Sequence, residues 1–151
     1  MRFYTPGKIE LLRKNILRLS LKFPEGFLLA DTENLCRICN GIGPESWKRK
    51  YRFTATFILR NYQEAAMIHD YCYTFSDGKS ESRKYYDSLF YENCLLLLHY
   101  YYPNWKIWLF PLKVYAFCKI CAAKRLLQIF GASAYLSAFE KRKEKENASF
   151  Q

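Results

Sequence analysis

The chain is poor in histidine and in acidic residues. Only two of its 151 residues are histidine, and 14 Asp and Glu stand against 24 Lys and Arg, which gives a net charge of +10. A strongly basic chain favours anionic partners, and the densest basic cluster, residues 48–52, suits an anionic membrane surface. The other basic residues are scattered, and no stacking motif or groove-reading helix accompanies them, so we do not expect nucleic-acid binding.

Long apolar runs and internal repeats are also missing. Residues 1–14 carry charges throughout, so no secretory signal peptide is expected. The most apolar stretch, residues 94–118, is interrupted by histidine, lysine and proline, which excludes a transmembrane helix there. Half of the residues are nevertheless apolar, enough for a real core. We expect a soluble protein made in the cytosol, with one domain over residues 1–139 and a charged tail over residues 140–151.

The pattern of apolar residues predicts a mainly α protein. Helical spacing indicates one short amphipathic helix and then three longer ones, the first two of which are expected to form a central antiparallel pair. Pro111 is expected to bend the last helix, and Gly131 to end it. The predicted helices cover residues 8–19, 55–73, 80–99 and 105–130.

The segment between the short helix and the first long one is rich in turn-forming residues. Residues 22–30 predict a short strand or hairpin that contains the turn Pro24-Glu25-Gly26. Residues 31–47 predict an irregular loop, because Asn40-Gly41-Ile42-Gly43-Pro44 holds two glycines and a proline. We expect this N-terminal segment to lie against the two central helices.

The six cysteines allow two interpretations. The pairs Cys36-x-x-Cys39 and Cys118-x-x-Cys121 have the internal spacing of zinc ligands, which would suit a zinc-containing interaction module. The second pair lies inside a predicted helix, however, where cysteine behaves as a small buried apolar residue. A chain made in the cytosol also keeps its thiols reduced. We therefore predict six free thiols and no zinc.

Two side chains of the central helices are expected to meet. His69 lies eight residues before Asp77 in the predicted turn, and Asp87 lies ten residues after it. At the rise of a helix these distances are about 12 and 15 Å, so His69 and Asp87 are level across the pair. A carboxylate bonded to one ring nitrogen leaves the other free as a base. The alternative is that His69 is structural, as we expect His99 to be, while Tyr73 is expected to pack or to bond to a carboxylate.

Asp70 suggests a calcium site beside this pair. It projects about 100° away from His69 around the helix and is expected to face the loop at residues 40–44. Backbone carbonyls and one carboxylate are suitable ligands for calcium, a hard cation. If calcium polarises an ester carbonyl while His69 activates water, the reaction is metal-assisted ester hydrolysis.

These residues also form a recognisable pattern. His69-Asp70-x-Cys72-Tyr73 resembles the His-Asp-x-Cys-Tyr signature of phospholipase A2, and Gly41-Ile42-Gly43 is similar to part of the calcium loop of that family. Residues 23–131 resemble more widely a small phage and prophage family of unknown function that is distantly similar to phospholipase A2. The elements that carry this wider resemblance are Pro24-Glu25-Gly26-Phe27, Asp31, Ala65-Ala66-Met67-Ile68-His69-Asp70-Tyr71-Cys72-Tyr73, Ser82-Arg83-Lys84-Tyr85-Tyr86-Asp87-Ser88-Leu89-Phe90 and Phe130-Gly131.

The resemblance implies roles for individual residues. His69 would be the base, Asp87 the carboxylate that orients it, and Asp70 with Gly41 and Gly43 the calcium ligands. It further implies a phage protein that is made in the host cytoplasm and carried in the virion, at the tail, where it contacts other virion proteins or copies of itself. The disulfide framework of secreted phospholipases is absent, and the alternative is a non-catalytic virion component that uses the same helix pair as a scaffold.

Overall fold

The computed structural model describes residues 4–39 and 48–148, and in this part of the chain the fold is mainly α-helical, with no strand. Short 3-10 turns at Phe27–Leu29, Arg60–Tyr62 and Ile107–Leu109 join some of the helices. The α-helices of the described residues are α1 Pro6–Arg18, α2 Thr32–Ile38, α3 Arg49–Ile58, α4 Gln63–Thr74, α5 Ser80–Tyr101 and α6 Phe110–Ala148.

The helix α4 lies at the centre of the fold. It contacts α1, α2, α5 and α6. Eight of its 12 residues are buried, so almost every face of the helix is covered by a neighbour. A helix in this position holds its side chains in a fixed, water-poor environment. His69 is one of these buried side chains.

The predicted antiparallel pair of central helices is formed by α4 and α5. Tyr62, just before α4, lies close to Tyr101 and Tyr102 at the end of α5. Tyr73, near the end of α4, bonds instead to Asp87 near the start of α5. The two helices therefore run in opposite directions, and the short connection over residues 75–79 joins them.

The first long helix is not continuous over residues 55–73, as the sequence had predicted. The helix α3 ends at Ile58, and the 3-10 turn Arg60–Tyr62 separates it from α4. Leu59 and Tyr62 are buried on either side of this break, so the chain turns to place both side chains in the core. The ammonium group of Lys119 donates to the carbonyl oxygen of Ile58 at 3.3 Å and satisfies one of the carbonyls that the break leaves free.

The prediction for the last helix was wrong at both ends. Pro111 is the second residue of α6 and does not bend it, because a proline in the first turn has no partner to lose. Gly131 lies inside α6, which continues to Ala148. Residues 140–148, expected as a charged tail, extend this helix, and Nη1 of Arg142 donates to the carbonyl oxygen of Thr74 at 3.5 Å.

Residues 22–30 form a turn and a 3-10 helix where a strand or hairpin was predicted. The turn at residues 24–26 is present, with the amide of Phe27 donating to the carbonyl of Pro24 at 3.2 Å. Asn93 of α5 takes the place of a neighbouring strand: its Oδ1 accepts from the amide of Lys22 at 2.8 Å, and its Nδ2 donates to the carbonyl of Lys22 at 2.7 Å. The backbone is thus satisfied without a sheet.

The loop predicted over residues 31–47 begins as a helix. The carboxylate of Asp31 accepts from the amide of Asn34 at 3.0 Å and so caps the N-terminus of α2. The segment with Gly41 and Gly43 lies outside the described residues.

Candidate functional site

The two central helices bring the predicted pair of side chains together. Nε2 of His69, on α4, is 3.1 Å from Oδ1 of Asp87, on α5, so the predicted contact is confirmed. A carboxylate accepts hydrogen bonds and donates none, so we assign the ring proton to Nε2. Nδ1 is then the acceptor nitrogen, and it makes no hydrogen bond to the described part of the chain.

Two further donors hold the carboxylate of Asp87. The hydroxyl of Tyr73 donates to Oδ1 at 2.6 Å, and Nη1 of Arg83 is 3.5 Å from Oδ2. The expected bond of Tyr73 to a carboxylate is therefore present. Burial, and after it the bond to Asp87, raises the pKa of Tyr73 far above its usual range, so the phenol remains a neutral donor. Donors on both oxygens leave Asp87 little freedom to turn away from His69.

The imidazole ring of His69 is confined by aromatic neighbours. Its centroid is 4.0 Å from that of the Tyr73 ring and 5.3 Å from that of the Phe90 ring. The residue as a whole is 8% exposed. Packing against two aromatic rings therefore restricts the orientation of the imidazole, which a base needs if its free nitrogen is to point in one direction.

The helix α6 closes the site at Gly131. A Cβ placed on this residue would be 3.0 Å from the hydroxyl oxygen of Tyr73 and 3.4 Å from Nη1 of Arg83. The missing side chain therefore lets α6 pass close to the groups that hold Asp87. This close contact explains why residue 131 is glycine, and the predicted end of a helix at this position does not.

Asp70 lies on another side of α4, towards the start of the undescribed segment. Its negative charge helps to raise the pKa of the Cys39 thiol and of Tyr4, in both cases after the larger effect of burial. The carboxylate is therefore near Cys39, the last described residue before the predicted loop ligands Gly41 and Gly43. In residues 4–39 and 48–148, no three His, Cys, Asp or Glu side chains gather closely enough to hold a metal ion.

In the structure all six cysteines are free of disulfides, and Cys36, Cys39, Cys118 and Cys121 do not come together as one ligand group among the described residues. The absence of zinc stays a prediction. Burial raises the pKa of the Cys72 thiol to about 12 and that of the Cys94 thiol further still. Such thiols stay protonated near neutral pH and act as apolar core residues.

The second histidine has the structural role that we expected. Nδ1 of His99 is 2.8 Å from the carbonyl oxygen of Leu95, one turn earlier in α5. The side chain is exposed, near the C-terminal end of the helix.

Sequence reasoning missed the contribution of Arg83, although the signal was present. Arg83 precedes Asp87 by four residues, and on a helix this spacing places both side chains on one face. Nothing comparable pointed to Gly131, which lies 44 residues after Asp87. Its contact depends on how α6 packs against α4 and α5.

The chain was compared with models of protein families, with curated proteins and with solved structures, and none of the three comparisons gave a match. Among the described helices, none combines the length and the apolar character that crossing a membrane requires. The assignment of a function therefore depends on the geometry around His69.

Proposed function

We propose that the chain is a phage-encoded, phospholipase A2-like protein that hydrolyses a phospholipid ester with His69 as the base. The observation that carries the proposal is the 3.1 Å contact of His69 Nε2 with Asp87 Oδ1, which leaves Nδ1 without a bond to the described residues. The resemblance of His69-Asp70-x-Cys72-Tyr73 to the phospholipase A2 signature adds independent support.

In the proposed reaction, Nδ1 of His69 accepts a proton from water while the water oxygen attacks the ester carbonyl. The carboxylate of Asp87 stabilises the imidazolium that forms, and Tyr73 and Arg83 hold that carboxylate in place. The tetrahedral intermediate then expels the alcohol, which takes the proton back from Nδ1. Water is consumed, one C–O bond is broken, and the base returns to its neutral form.

Calcium is the proposed cofactor. When bound, it would supply positive charge to the ester carbonyl oxygen. Asp70 fits as a ligand, since it offers a hard oxygen donor near Cys39 on a different side of α4 from His69. Carbonyl groups of Gly41 and Gly43 are the other proposed ligands.

One observation favours a second function, a non-catalytic scaffold in the virion. His69 is 8% exposed and α6 passes within contact distance of the residues around Asp87. A closed polar cluster of this kind also serves to fix the packing of three helices. A fold and a partial motif can remain after the activity they once served is lost.

The proposed location is the virion, at the tail, after synthesis in the host cytoplasm. The proposed partners are other virion proteins or further copies of this chain, together with an anionic membrane surface near residues 48–52. Support comes from the basic charge of the chain and from the many large apolar side chains that the structure leaves exposed.

The test compares wild type, His69→Ala and His99→Ala on mixed phospholipid vesicles with calcium. Losing a general base should lower the rate by about 10²- to 10⁴-fold, so His69→Ala should be near background. His99→Ala is the matched control, because its ring bonds only to a carbonyl of its own helix among the described residues, and it should keep the wild-type rate. Equal background rates for all three folded proteins would assign the pair to the scaffold function.

A further inference from the structure

The helix α6 carries both buried and exposed apolar side chains. It is buried against the core through Ala116, Ile120 and Tyr135. Other large apolar residues along the same helix remain exposed: Leu112, Tyr115, Leu126, Ile129 and Leu136. A helix whose apolar residues extend beyond its buried face is normally covered there as well, so these residues indicate a contact with something else.

Several large apolar side chains are exposed where the chain enters α6. Trp105 is 72% exposed, Ile107 79% and Trp108 71%, and the two indole rings lie nearly perpendicular with centroids 6.5 Å apart. We call Phe57, Trp105, Ile107, Trp108, Phe110 and Tyr115 the tryptophan surface. All six side chains are exposed. Large apolar side chains that are exposed together on a protein surface usually mark a binding site.

The two chain segments that carry the tryptophan surface hold charge of one sign. Residues 46–63 and 93–139, which supply this surface and most of α6, contain ten Lys and Arg and no Asp or Glu. Nζ of Lys106 is 4.7 Å from the centroid of the Trp105 ring, and Nζ of Lys119 is 4.4 Å from that of Tyr115. Both ammonium groups therefore lie over aromatic rings of the tryptophan surface and place positive charge on it.

A small hollow lies where the chain enters α6. It measures about 90 Å³, and its lining includes Lys106, Ile107, Phe110 and Lys113. Two ammonium groups beside an apolar surface would suit a phosphate at the boundary between headgroups and acyl chains.

We propose that the tryptophan surface docks on an anionic phospholipid membrane, with the indole rings at the headgroup level and the lysines on lipid phosphates. Tryptophan, tyrosine and lysine are the side chains that membrane interfaces favour, and a lipid surface matches both the apolar rings and the positive charge. A second copy docked through the same residues would bring like charges together. Nucleic acid would match the charge but leave the apolar side chains against phosphate.

The docking surface is separate from the site at His69. Phe110 and Gly131 are 21 residues apart on α6, about 31 Å along the helix axis. The membrane lipid that this surface would contact is of the same class as the proposed substrate, a phospholipid. In that respect the inference rests on the proposed function. Its evidence is independent, because binding to vesicles needs neither His69 nor calcium.

The experiment measures co-sedimentation with vesicles of phosphatidylcholine alone and of phosphatidylcholine with phosphatidylglycerol. Wild type should bind the anionic vesicles, and binding should weaken as salt is added. The double variant Trp105→Ala/Trp108→Ala should bind at least tenfold more weakly. The matched control is Leu29→Ala, which removes a 90% exposed apolar side chain from the distant 3-10 turn and should bind as wild type does.

Circular dichroism and gel filtration accompany each variant, so that folding and self-association are known. The docking proposal is overturned if wild type does not bind anionic vesicles. It is also overturned if the folded double variant binds them as tightly as wild type does. If wild type forms a dimer that only the double variant disrupts, and wild type binds no vesicles, the surface is a contact with a second copy. That result also overturns the docking proposal. His69→Ala separates the two proposals: it should bind as wild type does, and vesicle binding without hydrolysis by wild type counts against the enzyme alone.

Discussion

Gly131 of α6 lies against the hydroxyl of Tyr73 on α4, with only 3.0 Å between that oxygen and the position of a Cβ on residue 131. This hydroxyl donates a hydrogen bond to Oδ1 of Asp87 at 2.6 Å. The backbone of one helix therefore limits where the phenol of another can be. Through that phenol, it limits the carboxylate beside His69.

Gly131→Ala should therefore destabilise the fold although alanine is the better helix former. Alanine gains about 1 kcal/mol of helix propensity, but its methyl group displaces Tyr73 and weakens a charge-assisted hydrogen bond worth about 1.5–3 kcal/mol. We expect the free energy of unfolding to fall by about 1 kcal/mol in urea titrations. Gly7→Ala is the control, because a Cβ there meets nothing within 4 Å, and it should be neutral or stabilising. A stabilised Gly131→Ala would show that the phenol moves without cost.

Asp87→Asn should lower turnover more than substrate binding. An amide at this position can present its NH₂ group to Nε2, which would favour the tautomer with the proton on Nδ1 and remove the base. We expect kcat to fall by at least tenfold while KM changes little, in a calcium-supplemented assay on phospholipid vesicles. Glu92→Gln, an exposed carboxylate on the same helix that pairs with Lys22, should leave both constants unchanged. Equal losses in the two variants would point to a general effect of charge.

Asp70→Asn should weaken calcium binding, because a carboxylate binds a hard cation better than an amide does. Isothermal titration calorimetry should show at least a tenfold higher dissociation constant. Asp31→Asn is the control: asparagine caps a helix as well as aspartate does, so α2 is kept while one acidic charge is removed. If wild type itself takes up no calcium, the cofactor assignment is wrong.

The buried thiols should make the fold sensitive to alkaline pH. The pKa of Cys72 rises from its usual value of 9.0 to about 12 on burial, so the unfolded chain loses this proton at lower pH than the native chain does. Stability from Cys72 is therefore complete below about pH 9 and is lost as the pH rises towards 12, by up to about 1.4 kcal/mol per pH unit. Urea titrations at several pH values should show a shallower decline for Cys72→Ala, and equal slopes would argue against a buried neutral thiol.

The meeting of His69 and Asp87 was predictable because it is local. A short turn and the fixed rise of a helix determine which residues are level, and only 18 positions separate the two side chains. The break after Ile58 was not predictable in this way, since the apolar pattern continues through it. What breaks the helix is the burial of Leu59 and Tyr62 against other elements.

Other errors have a similar cause. The strand predicted near Lys22 was reasonable from turn residues alone, but Asn93, 71 positions later, satisfies the backbone that a sheet would have paired. Glycine often marks the end of a helix, yet Gly131 lies inside one. It is glycine there because Tyr73 leaves little room for a side chain. Contacts between distant parts of the chain overrode the local preference in both cases.

The 39 residues of α6 make a continuous rod about 58 Å long. One end carries Phe110 of the tryptophan surface, Gly131 touches Tyr73 beyond the midpoint, and Arg142 bonds to Thr74 near the other end. One uninterrupted helix therefore supplies residues to both the tryptophan surface and the polar cluster, about 31 Å apart along its axis. A variant that shifts α6 at one of these places is the one to examine for an effect at the other.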